Sequence, residues 1–394
     1  MVSTAEGLAE CIKALSAATG PVAVDAERAS GHRYGQRAFL VQLRREGAGT
    51  FLVDPAALPD LSGLGQALAG SEWIIHAASQ DLPCLAELGM VPELLFDTEL
   101  GGRLAGLPRV GLAAMVEQLL GLSLAKEHSA ADWSIRPLPE PWLRYAALDV
   151  EVLVELRDRL AAELAQQGKL DWATEEFAAV LAAPPPPPRV DPWRRTSGLH
   201  RIRDRRRLAA VRELWTTRDE LAQARDVSPG RLLPDSAIVE AAVAAPASSA
   251  ALAALPGFSG RGARRYAREW FAALMQAQSL PAEELPVQTL PTDGPPPARL
   301  WNEREPVAAA RLTAARQALG VVAEQHQLPV ENLLSPDIVR RLAWEPPMPC
   351  TPETVESALR LHGVRRWQLD LALVPLTGAL VAPPPTQNWQ TPDP

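Results

Sequence analysis

Two acids one residue apart, Asp25 and Glu27, close the apolar run PVAVDAE. If that run is a strand, its period of two sends both carboxylates to one face. Like charges placed so repel, unless something cationic lies between them. Further along stand Asp81 in IIHAASQDLPCL, just past another apolar run, and Tyr145 and Asp149 in RYAALDVEVL. The last two are four apart and share a face if the segment is helical. Taken singly, Asp81 is a plausible helix N-cap, and the Tyr145/Asp149 face could be ordinary surface. Taken together, the carboxylates describe an oxygen-rich pocket. Hard divalent cations, Mg²⁺ or Mn²⁺, prefer such ligands, and two held ~4 Å apart can activate a water and stabilise a leaving oxygen in phosphodiester hydrolysis.

A second group of residues could touch nucleic acid, each with a plainer alternative. Arg28 follows the acidic pair and could meet a phosphate or pair with a carboxylate. His76 precedes Asp81 by five residues and His128 lies in the loop EHSAADW; either could contact substrate, or be strand-end packing and exposed loop. Arg136 in DWSIRPLP is placed for a phosphate contact or for a salt bridge that holds its loop. The most basic run is HRIRDRRR, residues 200–207, where Arg201 and Arg205 would give salt-dependent, sequence-independent affinity. Its alternative is a solvated helix face. GFSGRGARRY offers a helix N-terminus to phosphate or a plain interhelical turn, and no strand precedes it to make a dinucleotide fingerprint.

These side chains need elements to carry them. PVAVDAE, AFLVQL, TFLVDP and SEWIIHA have the pattern of strands, with REGAG as a hairpin loop between the second and third. LPCLAELG, ELGGRLAG, VGLAAMVEQLLG and PWLRYAALDVEVLVELRDRLAAELAQQG have the pattern of helices, the last as one long helix. Hairpin-linked strands followed by alternating strands and helices predict an α/β domain with a mixed sheet. Proline runs at 182–192 and 289–298 read as stiff spacers. Beyond the first, two stretches of about 75 residues repeat one order: a helix rich in Ala and Arg, an apolar residue five positions before a Leu-Leu pair (Val227 to Leu232, Leu328 to Leu333), and a Gly followed by an Arg pair. Two small helical bundles are expected. The boundaries drawn are an α/β domain over 1–183, a linker over 184–198, a bundle over 199–280, a linker over 281–305, a bundle over 306–381 and a tail over 382–394.

The chain has 394 residues, long enough for two or three domains. At 47% hydrophobic and 22% charged it has an ordinary soluble composition rather than that of a disordered or membrane protein. No stretch reaches ~18 uninterrupted apolar residues and MVSTAEGLAECIKAL lacks a basic-then-apolar leader pattern, so a cytoplasmic location is expected. Cys11, Cys84 and Cys350 are far apart and have no metal-ligand spacing, which predicts reduced core thiols. Three lysines against 36 arginines reflect compositional bias. The net charge of −8 is uneven: 14 basic against 25 acidic residues over 1–183, 16 against 9 over 184–280, and 9 against 13 over 281–394. An acidic body beside a basic module suits a nuclease with a separate grip on its polyanion.

The order D-x-E, an Asp after a strand, then Y-x-x-x-D resembles the DEDD 3′→5′ exonucleases, in the subgroup with tyrosine in the last motif. FDTELGGRL at 96–104 and KEHSAADWSIRPLPEPWLRYAALDVEVL at 126–153 are similar to ribonuclease D, and the helical repeats to the HRDC domains that follow its nuclease domain. The resemblance spans about residues 20–380. It implies an α/β RNase H-like exonuclease domain followed by two all-α HRDC-like bundles, and two divalent ions, Mg²⁺ or Mn²⁺. Asp25 would bridge both; Glu27 and Asp149 would complete the shell of the one holding the attacking water; Asp81 would support the second, partly through waters; Tyr145 would position the water. The implied substrate is RNA with a free 3′ end, such as tRNA precursors, cut to nucleoside 5′-monophosphates. No membrane partner is expected, and the oligomeric state is left open, with a monomer favoured. Two departures stand out. Ala26 and Arg28 occupy places where many relatives have Thr and a bulky apolar residue, which leaves open how the terminal nucleotide is gripped. Two other readings are a DNA-directed exonuclease and a non-catalytic RNA-binding scaffold.

Overall fold

The computed structural model describes residues 1–124, 131–290 and 294–381. Strands β1 (Val22–Arg28), β2 (Ala38–Arg45), β3 (Gly49–Val53), β4 (Glu72–Ile75) and β5 (Leu94–Asp97) form one sheet in the order β3-β2-β1-β4-β5. The first three pair antiparallel, and β1, β4 and β5 run parallel. The mixed sheet is as expected, but β5 was not anticipated. Its four residues carry no alternation, because all but Leu94 are buried. β1 lies at the centre and begins with three fully buried apolar residues, Val22, Ala23 and Val24. The acids that follow, Asp25 in mid-strand and Glu27 one residue from its end, therefore sit on a rigid element.

Helices α1 (Ala5–Ala17), α2 (Ser62–Ala67), α3 (Leu82–Ala86), α4 (Thr98–Leu104) and α5 (Leu112–Leu120) complete the first part of the domain. The expected single long helix is two, α6 (Glu140–Glu151) and α7 (Leu153–Gln166), broken at Val152. The two halves have different partners. α6 crosses β1, β2 and β3, whereas α7 packs on β4, α4 and α5. A straight helix could not follow both halves of a twisted sheet. Helix α8 (Leu170–Ala182) ends the domain.

Beyond the first proline run α9 (Arg205–Arg225) packs against the helices Asp235–Ala244 and Ala267–Ser279. The second bundle repeats this with the helices Pro306–Gln325, Pro336–Trp344 and Arg366–Val381. The repeat holds down to single residues. Leu233 and Leu334 both leave a short helix in extended backbone, at φ −153° and −155°, and both are buried. The linkers are shorter than drawn. Trp193 is in the core of the first bundle, and Trp301 is fully buried against Trp344 at 4.9 Å, so each tryptophan pins its end of a linker to the bundle that follows. The tail 382–394 lies outside the described residues.

Neither bundle is merely tethered. The second shares a continuous apolar core with the α/β domain. Trp172 of α8 stacks on Trp367 at 5.1 Å, and buried Glu176 accepts from the Trp367 indole at 3.0 Å and from Arg365. Gly106, at φ +78°, lies so close that a Cβ there would be 2.6 Å from the Gln327 carbonyl oxygen. The first bundle docks on the loop between β1 and β2. The Tyr34 hydroxyl donates to Asp219 at 3.0 Å, the Ser228 N–H to the His32 carbonyl at 3.0 Å, and Arg37 pairs with Asp226 at 3.1 Å.

Candidate active site

β1 presents Asp25 and Glu27, and α6 lays Tyr145 and Asp149 against them. The buried residues Ala146 and Val150 anchor α6 from its inner side. Asp25, Glu27 and Asp149 each offer an oxygen, and these oxygens lie within 4.8 Å of one another. Tyr145 hydrogen-bonds to Asp149, so the i,i+4 face is a working pair and not scattered surface.

Asp81 lies beyond a tight turn after β4 and is buried. It stands at the N-cap position of α3 but makes no side-chain capping bond. Instead its carboxylate pairs with Arg28 at 3.3 Å. Asp97, at the end of β5, does the local capping. It accepts from the N–H groups of Glu99 and Leu100, and from those of Ala77 and Ala78 at 3.1 and 2.8 Å. Ala77 is held in left-handed backbone, φ 59° and ψ 53°, a conformation that costs a non-glycine residue about 1–2 kcal/mol. Asp97 thus fixes the turn that aims Asp81. The signal was present in FDTELGGRL, an Asp one residue before a helix start, but the role depends on a strand pairing that only the fold supplies.

The electrostatics of the pocket follow from burial and crowding. Burial, then the neighbouring carboxylates Asp25, Asp149 and Asp81, pushes Glu27 from 4.5 up to about 9. Burial, then Asp25, pushes both Asp81 and Asp149 up to about 7. Asp25 is raised by burial, against the pull of the Ala26 N–H and Arg28. The Tyr145 hydroxyl is raised by burial, then by Asp149 and Glu27. The negative potential that produces these shifts is what a cation would relieve. All the crowded donors are carboxylate oxygens, which suits a hard divalent ion.

The nucleic-acid group fares unevenly. Arg28 faces the pocket and pairs with a carboxylate, one of its two expected roles. His76 lines the pocket, but its Nδ1 lies 2.9 Å from the Thr98 hydroxyl, and burial lowers it from 6.5 to about 4. Burial favours its neutral form near pH 7, with the ring in the pocket lining. Arg136 takes the other of its two expected roles, the salt bridge that holds its loop. Its guanidinium donates twice to buried Asp54 and to the carbonyls of Trp133, Ile135 and Phe39, which occupies all five N–H groups. It locks the loop before α6, and no donor remains for phosphate. Arg205 donates to the carbonyls of Ala282, Leu285 and Pro286, so it clamps the segment after the first bundle. Arg201 is exposed and distant in sequence from the carboxylates. His128 lies outside the described residues.

The carboxylates line a cavity of about 440 Å³ that Leu112, Leu124 and Leu153 also line. Such a lining offers polar partners to a charged backbone and apolar surface to a flat base. Cys11 and Cys84 are buried free thiols, raised by burial to about 11 and about 12; Cys84 lies beside the site, its Sγ donating to the Asp81 carbonyl at 3.1 Å.

Comparison with known proteins identifies the family of each domain. Residues 1–165 match the family model for a 3′-5′ exonuclease, 207–274 that for the HRDC domain, and 294–380 that for a 3′ to 5′ exonuclease C-terminal domain. The chain is 32% identical to the ribonuclease D of Gluconacetobacter diazotrophicus over 82% of its own length and 81% of that protein's. Among solved structures, a protein from Bifidobacterium adolescentis superposes with a TM-score of 0.87 at 39% identity, covering 97% of each chain. The Escherichia coli RNase D, described as an exoribonuclease involved in structured RNA processing, superposes with a TM-score of 0.68 at 25% identity, covering 96% of this chain and 98% of that one.

Proposed function

The chain belongs to the ribonuclease D family of 3′→5′ exoribonucleases, and we propose that it trims structured RNAs such as tRNA precursors with Asp25, Glu27, Asp81, Tyr145 and Asp149 as its catalytic set. The observation that carries this is the convergence of Asp25, Glu27 and Asp149, with ligand oxygens within 4.8 Å. Together with Asp81 they would hold two divalent ions, Mg²⁺ or Mn²⁺. Such ions supply a water of lowered pKa and stabilise charge on the scissile phosphate and the leaving 3′ oxygen.

The residues do the rest. Asp25, in the middle of the central strand, has its oxygen within 4.8 Å of those of Glu27 and Asp149, and its charge also acts on Asp81. Tyr145, with its pKa raised by burial, keeps its proton near neutral pH. It therefore orients the attacking water through a hydrogen bond rather than deprotonating it. Asp149 holds that hydroxyl in place. Leu112, Leu124 and Leu153 give the terminal base an apolar surface, which favours any base and so suits a trimming enzyme. No helix among the described residues is long and apolar enough to cross a membrane.

The test uses matched RNA and DNA oligonucleotides and a 3′-extended tRNA, with Mg²⁺ or Mn²⁺ and with both removed. Nucleoside 5′-monophosphates, released one at a time from RNA only with metal, are the expected product. Asp25→Ala should abolish turnover and leave RNA affinity largely intact. Equal or faster degradation of DNA favours the DNA-directed reading, and RNA binding without any turnover in the wild type favours the scaffold.

A further inference from the structure

Arg28 lines the carboxylate pocket, and the structure indicates what it does. By strand alternation it belongs on the face opposite Asp25 and Glu27. The pairing of β1 with β2 slips at this point, Glu27 opposing Leu40 and Arg28 opposing Ala38, so that Phe39 is the extra residue of a bulge. Bulges re-aim side chains. With the reach of an arginine, this one brings the guanidinium 3.3 Å from Asp81.

The contact is loosely held. No hydrogen bond accompanies the ion pair among the described residues, and the Arg28 side chain is 25% exposed. Arg136, with all five donors occupied, shows how this chain fixes an arginine that must not move. Arg28 also lines two cavities at once: the carboxylate pocket, and a second of about 270 Å³ lined by Ser30, Gly31 and His32. It stands at their junction, where an RNA backbone passing from one to the other would place a phosphate.

Charge decides the direction of the exchange. The four ligand carboxylates carry −4 once ionised, and two dications would cancel them; Asp97, which also acts on Asp81, has its carboxylate taken up by four backbone N–H groups. Arg28 is then one positive charge in surplus, which a single phosphodiester balances. We propose that Arg28 is an exchangeable counter-ion. It pairs with Asp81 while that carboxylate lacks a dication, and turns to an RNA phosphate once a dication has taken Asp81. The inference rests on the exonuclease reading above and adds a positioning residue that couples loading of the second ion to grip on the substrate. Direct contact with phosphate would favour arginine's fork over lysine, but either keeps the charge.

Two measurements on the full chain test it. Mn²⁺ binding without RNA is followed by electron paramagnetic resonance. Binding of an RNA oligonucleotide whose last linkage resists hydrolysis is followed by anisotropy across a salt series. Arg28→Leu should tighten the weaker of two Mn²⁺ sites about tenfold, the worth of one lost competing ion pair. It should also reduce the slope of log affinity against log salt by about 0.7, the loss of one phosphate contact to a single strand. Arg28→Lys should keep the slope, and Arg28→Gln repeats the neutral case if leucine disturbs β1. Failure of either half, no tightening or no loss of slope in the neutral variants, overturns the exchange. Failure of the underlying reading looks different: wild type that binds no Mn²⁺ and releases no nucleotide.

Discussion

The metal-free pocket holds protons that a cation must displace, and their number follows from the structure. Glu27, pushed to about 9, is almost wholly protonated at pH 7, and Asp149, pushed to about 7, is half protonated. Binding of one dication at Asp25, Glu27 and Asp149 should therefore release at least about one and a half protons at pH 7, and more to the extent that burial also keeps Asp25 protonated. The apparent affinity should then rise at least about thirtyfold per pH unit near neutrality. In Glu27→Gln the release should fall by about one proton. Titration calorimetry in two buffers of different protonation enthalpy counts these protons directly. Stability of the chelated protein is linked with the opposite sign. The stabilisation from protonated Glu27 is fully present below pH 4.5 and is lost as pH rises through about 9. Metal should reverse that trend. Wild type that releases no protons at pH 7, or Glu27→Gln that releases as many as wild type, would refute the crowded-carboxylate account.

Tyr145→Phe removes only the water-orienting hydroxyl, so kcat should fall about 10²-fold, within the usual range for a proton-handling or orienting group, with KM little changed; steady-state kinetics on a short RNA decide this, and a loss confined to KM would contradict the role. Arg136→Ala strands buried Asp54, whose carboxyl is otherwise held low, against the rise from burial, by that same guanidinium. It should destabilise by about 3 kcal/mol in a thermal or urea melt while leaving the salt slope of RNA binding unchanged. Gly106→Ala forces a Cβ toward the Gln327 carbonyl from a positive-φ position. It should cost about 1–3 kcal/mol and loosen the second bundle first, seen as faster hydrogen exchange in the helix Arg366–Val381.

Because Trp172, Trp367 and Glu176 knit the second bundle to α8, cutting the chain near residue 199 would expose apolar surface, so loss of activity in such a truncation would not by itself assign catalysis to the bundles. The duplication was visible in the Leu-Leu pairs and the Gly-Arg-Arg turns, because they mark buried positions and chain reversals that recur at fixed offsets. Where each copy docks was not, because docking surfaces are made of residues that are individually ordinary, such as Tyr34, Asp219 and Gly106.

The sequence alone determined the chemistry. Strand and helix periods are local, so Asp25 with Glu27, and Tyr145 with Asp149, could be placed on common faces before any fold was known, and an acidic set of that kind suits a hard divalent ion. Tertiary structure decided what each basic residue does with its charge. Arg136, Arg205 and Arg28 look alike in the chain, yet one is saturated by a loop, one clamps a linker and one faces the carboxylates across a bulge. A guanidinium's partner is set by whichever carboxylate or carbonyl the fold brings within reach, and such partners can lie far off in sequence, 97 residues for Arg136 and Phe39 and 189 for Arg365 and Glu176.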